Sequence, residues 1–389
     1  MSQTTAPFTD DFARDPYRAL ARLREAAPVH HVTLPDGSRA WLVTRDAEVR
    51  PLLADDRRLS VDKRHSRTGY TGFSLPPALD RNLLNVDGAD HLRLRRLVSQ
   101  GFTPRRVAAL RPAITATAER LAAALTPDGS DLVADFATPL PLAVIGDLFA
   151  LPEADRAPFA RWITTMLTPP TPRDAVAAIT AVHRFLVDLV AARRAAPGDD
   201  LLSALVAARD EDDRLTEDEL VSLAFLILGA GIENVQHTVS AGLFALSRHP
   251  DQLAALRSEP ALLPGAVEEF LRYAHPNLTA IRRFATEDLA VAGTAIPAGE
   301  TVLLCLASAN RDPRRHADPE AFDVRRPTQP AQLALGAGLH YCLGAPLARL
   351  EIEVALSTLL PRFPHLDTGS ARWRTNFRSH ALACLPVTA

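Results

Sequence analysis

Cysteine is scarce in this chain, and its few cysteines show no pairing pattern. Among 389 residues there are three cysteines, Cys305, Cys342 and Cys384. An odd, sparse set without paired spacing argues against a disulfide framework and against a structural zinc site. The cysteine spacing that holds an iron–sulfur cluster is missing as well. Any chemistry that depends on cysteine therefore depends on a single thiol.

The chain also lacks an excess of either charge and a long apolar run. Lysine and arginine number 43 and aspartate and glutamate 46, so no overall positive field exists to attract nucleic acid. The longest uninterrupted apolar stretch, residues 223–232, is about ten residues long, roughly half of what a membrane-spanning helix needs. The first twenty residues contain no signal-peptide pattern. These absences predict a cytoplasmic protein that binds neither nucleic acid nor a membrane.

Linkers and repeats are absent too. The chain has no Gly/Ser-rich linker and no fixed-period repeat, and its 31 prolines are spread along it. Apolar residues make up 47% and charged residues 23%, an ordinary globular balance. We therefore expect residues 1–389 to form a single domain.

Helical periodicity dominates what is present. A hairpin is predicted over residues 29–43, turning at 35–37, and strand-like segments over 281–304, turning at 292–293 and 297–299. The helical patterns cover residues 15–27, 89–125 with interruptions near 101–104 and at Pro112, 139–150, 153–167, 172–196 and 264–274. The fold class is thus mainly α with a minor β portion.

One predicted helix is much longer than the others. Thr216 is followed three residues later by Glu219, the spacing of a capping box, and an apolar run then extends through Leu246. A helix of about 30 residues would be about 45 Å long. Such a helix crosses a whole domain.

The residues around Cys342 form an unusual loop. Residues 335–345 read Leu-Gly-Ala-Gly-Leu-His-Tyr-Cys-Leu-Gly-Ala. A thiolate that binds haem iron needs backbone close to the porphyrin, which glycine permits, and amide N–H groups near its sulfur. A helix that begins at Cys342 would add its positive end. The alternative is a small buried cysteine in a glycine-rich loop.

At this loop the sequence resembles the cytochrome P-450 superfamily, whose haem loop reads Phe-Gly-x-Gly-x-His-x-Cys-x-Gly. Leu335 stands where the family has phenylalanine, and Gly336 and His340 match. The resemblance implies haem b, with Cys342 as the thiolate ligand of the iron. It also implies the P-450 fold, with the long central helix over the haem.

Further motifs follow in the family's order. By this resemblance, His91 and Arg95 bind a haem propionate, as do Arg283 and His340, because carboxylates entering an apolar pocket need charge-assisted partners.

A second motif of the family has a structural role. Glu269 and Arg272 resemble the family's Glu-x-x-Arg pair, which implies a buried ion pair locked by a third residue, Arg326. This cluster is expected to support the haem loop.

The long helix departs from the family at one position. Residues 228–235 align with a small-Gly-x-acid-Thr signature, which places Glu233 at the acid and Asn234 where threonine is usual. In the family these two side chains organise the water that delivers protons. An asparagine amide donates and accepts hydrogen bonds but does not readily relay a proton. Glu233 and Asn234 are nevertheless the predicted catalytic residues.

Four explanations of Asn234 are open at this stage. Asn234 and Glu233 position a water chain well enough for monooxygenation, or a hydroxyl or amide of the substrate completes the relay. Alternatively, the enzyme couples phenol or indole radicals without inserting oxygen, or the change is neutral drift. A hydroxyl on Thr238, one turn further, is expected to lie too far from the iron, since four residues rise about 6 Å.

The resemblance also implies a substrate pocket. It is expected to include Leu226 and Ala230 of the long helix, and Asn277 and Thr279 in polar positions that suit a substrate with hydrogen-bonding groups. The loop of residues 60–86 carries charged and aromatic side chains, which favour either an anionic or carrier-bound substrate or a solvated run of charge; they are Lys63, Arg64, His65, Arg67, Tyr70 and Phe73.

The expected activity is hydroxylation or epoxidation of a secondary-metabolite-type molecule by activated O2. Oxidative coupling is the alternative, and a non-catalytic haem protein is a further one. The chain has no flavin or iron–sulfur motif, so ferredoxin and ferredoxin reductase are the expected electron donors. Their docking patch is predicted at four arginines, Arg93, Arg96, Arg105 and Arg106.

Overall fold

Helices form most of this structure, as the periodicity predicts. It is a computed structural model that describes residues 4–67, 75–126, 129–210, 215–362 and 370–387. The α-helices in these ranges are α1 Asp10–Arg14, α2 Pro16–Ala26, α3 Asp46–Leu53, α4 Pro77–Asp80, α5 Gly88–Ser99, α6 Pro104–Ala124, α7 Pro139–Leu148, α8 Glu153–Leu167, α9 Pro172–Ala195, α10 Leu201–Asp210, α11 Glu217–Ser247, α12 Pro250–Ser258, α13 Leu263–Ala274, α14 Leu306–Ala309 and α15 Ala345–Leu359.

The β portion is small, also as predicted. A five-stranded sheet has the order β1-β2-β7-β4-β3, and two hairpins pair β5 with β6 and β8 with β9. The expected first hairpin is present, with Val29 opposite Val43. The strands are β1 Val29–Thr33, β2 Arg39–Val43, β3 Leu59–Ser60, β4 Arg283–Ala285, β5 Leu289–Val291, β6 Thr294–Ile296, β7 Thr301–Leu304, β8 Arg372–Thr375 and β9 His380–Cys384.

The long helix, α11, is the centre of the helical part. Its predicted capping box is formed: the Glu219 N–H donates to Thr216 Oγ1 at 3.2 Å, and the Thr216 N–H donates to Glu219 Oε2 at 2.9 Å. The helix has 31 residues, most of them buried, and it packs against α4, α7 and α13. This packing determines which side chains of α11 face each of these neighbouring helices.

Two helices, α9 and α11, are long and apolar enough to cross a membrane by length and composition. Their apolar length exceeds the ten-residue uninterrupted run, because single polar residues interrupt both sequences while the mean hydropathy stays high. In α11, 61% of the apolar window is buried inside the protein, against 28% in α9. The apolar side chains of α11 thus serve packing within the domain.

Two predicted helix boundaries differ from those observed. Helix α6 continues through Pro112, an exposed residue, so the carbonyl that loses its helical hydrogen bond remains open to water. Helix α15 begins at Ala345 and not at Cys342, with Pro346 in its first turn. The cysteine therefore lies in the loop before the helix.

A cluster of buried charges links α13 to the segment that precedes the loop carrying Cys342. The Glu269 carboxylate accepts from Arg272 at 2.7 Å and lies 3.2 Å from Arg326 Nε. Side-chain exposure is 1% for Glu269 and 3% for Arg272, so the pair is shielded from water. Arg272 also donates to the backbone carbonyls of Asn310, Pro319 and Ala321. These are the contacts expected from the Glu-x-x-Arg motif and its third residue.

Adjacent arginines offer a matched test of this cluster. Arg326→Ala removes a largely buried cation and its bonds to three carbonyls, so we expect the free energy of unfolding to fall by about 2–3 kcal/mol. Arg325→Ala breaks an ion pair with Glu259 that is half exposed and screened by water, and should destabilise the protein much less than Arg326→Ala does. Denaturant unfolding followed by circular dichroism measures both, and equal losses would contradict a structural role for the cluster.

Candidate functional site

Two glycines shape the loop that presents Cys342. The Cys342 N–H donates to the Leu335 carbonyl at 2.9 Å, which closes the loop. Gly336 and Gly338 have φ values of 74° and 70°, a region that favours glycine. A Cβ at Gly338 would lie 2.5 Å from the Ala54 Cα, so a side chain does not fit there. The loop is therefore pressed against the end of α3.

The thiol of Cys342 lies in a mixed environment. Burial raises its pKa, and a hydrogen bond from the Gly344 N–H and the charges of Arg95 and Arg349 offset only part of this rise. Cys305, in contrast, is fully buried beside the Leu278 carbonyl, and burial raises its pKa to about 12. Within the described ranges no three metal-ligating side chains cluster together.

Buried nitrogen atoms without partners lie in the same region. His91 is 1% exposed, and neither ring nitrogen has a hydrogen-bond partner. Arg283 is 3% exposed, and its Nε and Nη1 atoms lack partners as well. Burial, followed by the charge of His340, lowers the pKa of His91 to about 4. Donors of this kind require acceptors such as the carboxylates of haem, so the residues fit the cofactor.

His340 and Arg95 already have protein partners. His340 Nε2 lies 2.8 Å from Asp87 Oδ1, and its Nδ1 lies 3.2 Å from the Leu83 carbonyl. The rings of His340 and His91 are 4.5 Å apart, centre to centre. Arg95 donates to the Leu339 carbonyl at 3.2 Å. His340 would therefore have to give up its hydrogen bond to Asp87 or to the Leu83 carbonyl before it could bond directly to a propionate.

Asp87 belongs to this site, although sequence reasoning missed it. Burial alone would raise its pKa, but hydrogen bonds from His340, Ser60 and Val61 outweigh burial and lower the pKa to about 2. Its position in the sequence could have identified it, because Asp87 directly precedes α5 and lies four residues before His91. Asp87 thereby connects α5 to the loop of Cys342.

The predicted substrate residues line one cavity of about 910 Å³. Leu226, Ala230 and Asn234 are spaced by four residues on α11 and so share one face of the helix. Across from them the cavity wall includes two polar residues in the segment after α13, Asn277 and Thr279. Glu233 and part of the 60–86 loop also line it, whereas Tyr70 and Phe73 lie outside the described residues.

The described cations of that loop are largely paired. Lys63 lies 2.6 Å from Asp80, Arg64 lies 2.6 Å from Asp62, and Arg67 lies 2.8 Å from Glu300. These carboxylates neutralise the positive charge. The arrangement favours a paired surface run over a site for an anionic substrate.

Asn234 forms two hydrogen bonds that the sequence did not predict. Its Oδ1 atom accepts from Asn277 Nδ2 at 2.8 Å, and its backbone carbonyl accepts from the Thr238 hydroxyl at 2.8 Å. Thr238 therefore bonds back to its own helix. It does not replace the missing threonine hydroxyl.

Glu233 carries a carboxyl group suited to proton exchange near neutral pH. Burial raises its pKa to about 7, against the opposing charge of Arg374. One turn along α11, burial lowers the pKa of His237 to about 4. A carboxyl with this pKa holds or releases a proton at working pH.

Replacing Arg283 tests the fit to haem carboxylates. Arg283→Met removes unpartnered buried donors, so we expect haem to dissociate about 10–100-fold faster, as measured by transfer to excess apomyoglobin. The haem-free variant should unfold no more easily than the haem-free parent, since the lost arginine has an unpaired Nε there. Arg39→Met, an exposed change on β2, is the control. An unchanged haem transfer rate would reject the assignment.

Replacing Glu233 tests its raised pKa. A raised carboxyl pKa means that the folded state binds the proton more tightly, so this group makes stability fall as pH rises from about 4.5 to about 7. Glu233→Gln removes that loss, and its stability relative to the parent should increase across this window by about 3 kcal/mol at most. Denaturant unfolding at successive pH values gives the difference. A stability difference between the variant and the parent that does not change with pH would contradict the raised pKa.

Comparisons with known proteins agree with this geometry. The family model described as Cytochrome P-450 matches residues 143–388. The cytochrome P-450 monooxygenase PikC of Streptomyces venezuelae is 45% identical over 97% of this chain and 92% of its own, and 6-deoxyerythronolide B hydroxylase of Saccharopolyspora erythraea is 43% identical over 99% of each. The tirandamycin C-bound monooxygenase TamI superposes with a TM-score of 0.92 at 44% identity, covering 99% of this chain and 100% of that one. The chain belongs to the cytochrome P-450 family, whose cofactor is a cysteine-ligated haem.

Proposed function

We propose that this enzyme hydroxylates or epoxidises a secondary-metabolite-type substrate, with Cys342 as the iron ligand. One observation carries the proposal. The loop that presents Cys342 is closed by its own backbone hydrogen bond, and beside it lie the buried side chains of His91 and Arg283, whose nitrogen atoms have no partner. The family membership supports the same activity, since similar proteins are named monooxygenases and hydroxylases. The non-catalytic haem protein considered from the sequence is thereby disfavoured.

The chain's own residues supply three functions around the cofactor. When bound, the haem supplies activation of O2 with electrons delivered from outside. The Gly344 N–H donates towards the Cys342 sulfur and moderates its charge. His91 and Arg283 hold the carboxylates, and Gly336 gives the loop its turn.

Proton handling falls to Glu233. Its carboxyl lines the cavity and, with a pKa of about 7, both accepts and releases a proton near neutral pH. Asn234 orients groups by hydrogen bonding and does not itself carry the proton. This division supports either an ordered water or a substrate group as the final donor, two of the explanations left open by the sequence.

The size of the cavity suits a substrate of considerable bulk. About 910 Å³ lies near the upper end of the range for small-molecule sites, roughly 300–1,000 Å³. The named relatives act on 6-deoxyerythronolide B or bind tirandamycin C. We place the substrate of this enzyme in the same size class, free or attached to a carrier protein.

Electrons are proposed to come from a ferredoxin and its reductase in the cytoplasm. Of the predicted basic patch, Arg93 is bound to Glu219 at 2.6 Å and lies 3.4 Å from Asp90. Arg96, Arg105 and Arg106 are exposed and are left to attract an acidic partner. Arg93 instead ties α5 to the start of α11.

Oxidative coupling of a phenol or indole is the second candidate. The observation in its favour is that Asn234, in place of threonine, has its side-chain oxygen bonded to Asn277. In that reaction both oxygen atoms of O2 leave as water, and the O–H or N–H groups of the substrate supply two of the four hydrogens, so the substrate itself contributes where the threonine hydroxyl is missing. Product mass separates the two, since only hydroxylation or epoxidation adds an oxygen atom derived from O2.

Cysteine replacement tests the ligand assignment. Cys342→Ser should abolish the absorption band that marks a thiolate-ligated carbon-monoxide complex, because serine oxygen does not donate as thiolate sulfur does. Cys384→Ser, at the end of β9, should leave that band unchanged. The optical spectrum of the reduced protein measures both. A band that survives Cys342→Ser would overturn the assignment and the function built on it.

A further inference from the structure

The two asparagines in the cavity wall form a hydrogen-bonded pair. Asn277 Nδ2 donates to Asn234 Oδ1 at 2.8 Å, and both residues line the cavity. Asn234 is exposed to this space, although Ile232 and Val235 beside it on α11 are buried. The amide groups therefore face the region that a substrate enters.

Both members of the pair are held in place by their backbones. The Asn234 carbonyl accepts from Thr238 within α11. Asn277 forms an isolated β-bridge with Ser379, and the next residue, Leu278, donates its N–H to the Arg378 carbonyl at 2.7 Å. The pair is thus positioned before any substrate arrives, which is the condition for selective hydrogen bonding.

The bond between the asparagines leaves hydrogen-bonding capacity on each side. An asparagine amide has two N–H donors and an oxygen with two lone pairs. One N–H of Asn277 and one lone pair of Asn234 are used, and the described part of the chain shows no second bond between the two side chains. The amino group of Asn234 and the oxygen of Asn277 remain for another partner. Exchanging oxygen and nitrogen in both amides swaps these roles but still leaves one donor group and one acceptor.

We propose that this pair is the polar subsite of the cavity and binds a neutral substrate group that donates and accepts a hydrogen bond together. A hydroxyl has this chemistry, and so does the N–H and C=O edge of a lactam. A carboxylate only accepts and an ammonium only donates, so each would leave one asparagine group unmatched. The inference rests on the proposed function and adds the substrate class.

The energetics favour a matched group because the substrate displaces water from the cavity. An amide group that is buried without a partner loses its hydrogen bonds to water, which weakens binding by about tenfold or more. The cations of the cavity wall are Arg67, which is paired with Glu300, and Arg39, Arg282 and Arg378, while Glu233 is the residue next to Asn234. A carboxylate at this end would therefore meet another carboxyl group and an unmatched acceptor.

The test is binding of matched pairs of probes to the holoenzyme. One pair is a hydroxyl-bearing macrolactone and its methyl ether, and the other is an aromatic cyclic dipeptide and its N-methylated form. Calorimetry and the spin-state shift of the haem band report affinity without turnover. We expect at least one parent probe to bind, with its methylated counterpart about tenfold weaker or worse.

Variants then locate the effect. In Asn277→Leu the preference for the parent probe should fall below about threefold, whereas Thr301→Val, at another polar residue of the cavity wall, should retain it. Full preference in Asn277→Leu, equal binding of parent and methylated probes, or binding only of apolar molecules that lack such a group would overturn the subsite. Each sample is first checked for the thiolate band, so loss of that band reports failure of the proposed function and not of the subsite.

Discussion

A carboxyl group that is removed from water is either paired with a cation or held in its neutral form, and Glu269 is paired. Its side chain is 1% exposed and is neutralised by Arg272 and Arg326. The bonds then continue towards the haem loop: Arg272 donates to the Asn310 carbonyl, and Asn310 Oδ1 accepts from the Leu333 N–H. The Leu335 carbonyl, two residues later, receives the Cys342 N–H. A charge cluster on α13 thus determines where the thiol lies.

Helix α11 forms part of the wall of the substrate cavity. Its capping box fixes where the helix begins, and Arg93 bonds to the same Glu219 that completes the box. The four-residue spacing then brings Leu226, Ala230 and Asn234 to one face. Polar groups on that face are few, so the Asn234–Asn277 pair has a large effect on what the cavity accepts.

Much of this arrangement was accessible from the sequence, because the relevant signals are local. The capping box at Thr216 and the Glu-x-x-Arg spacing depend on residues within one turn, and both contacts are present. The partner of Asn234 was not accessible, since Asn277 lies 43 residues away and only tertiary packing brings the two amides together. The continuation of α6 through Pro112 depended on exposure, and exposure is likewise a property of the folded chain.

The contact between Gly338 and Ala54 joins positions that are remote in sequence. A Cβ on residue 338 would lie 2.5 Å from the Cα and 3.0 Å from the Cβ of Ala54, so residue 338 has no room for a side chain unless the backbone at position 54 moves. Gly338 also has a positive φ, so two independent constraints favour glycine there, whereas the side chain of Ala54 is exposed. The chain just after α3 therefore constrains the cysteine loop: while that backbone keeps its position, residue 338 must be glycine for the loop to keep its own.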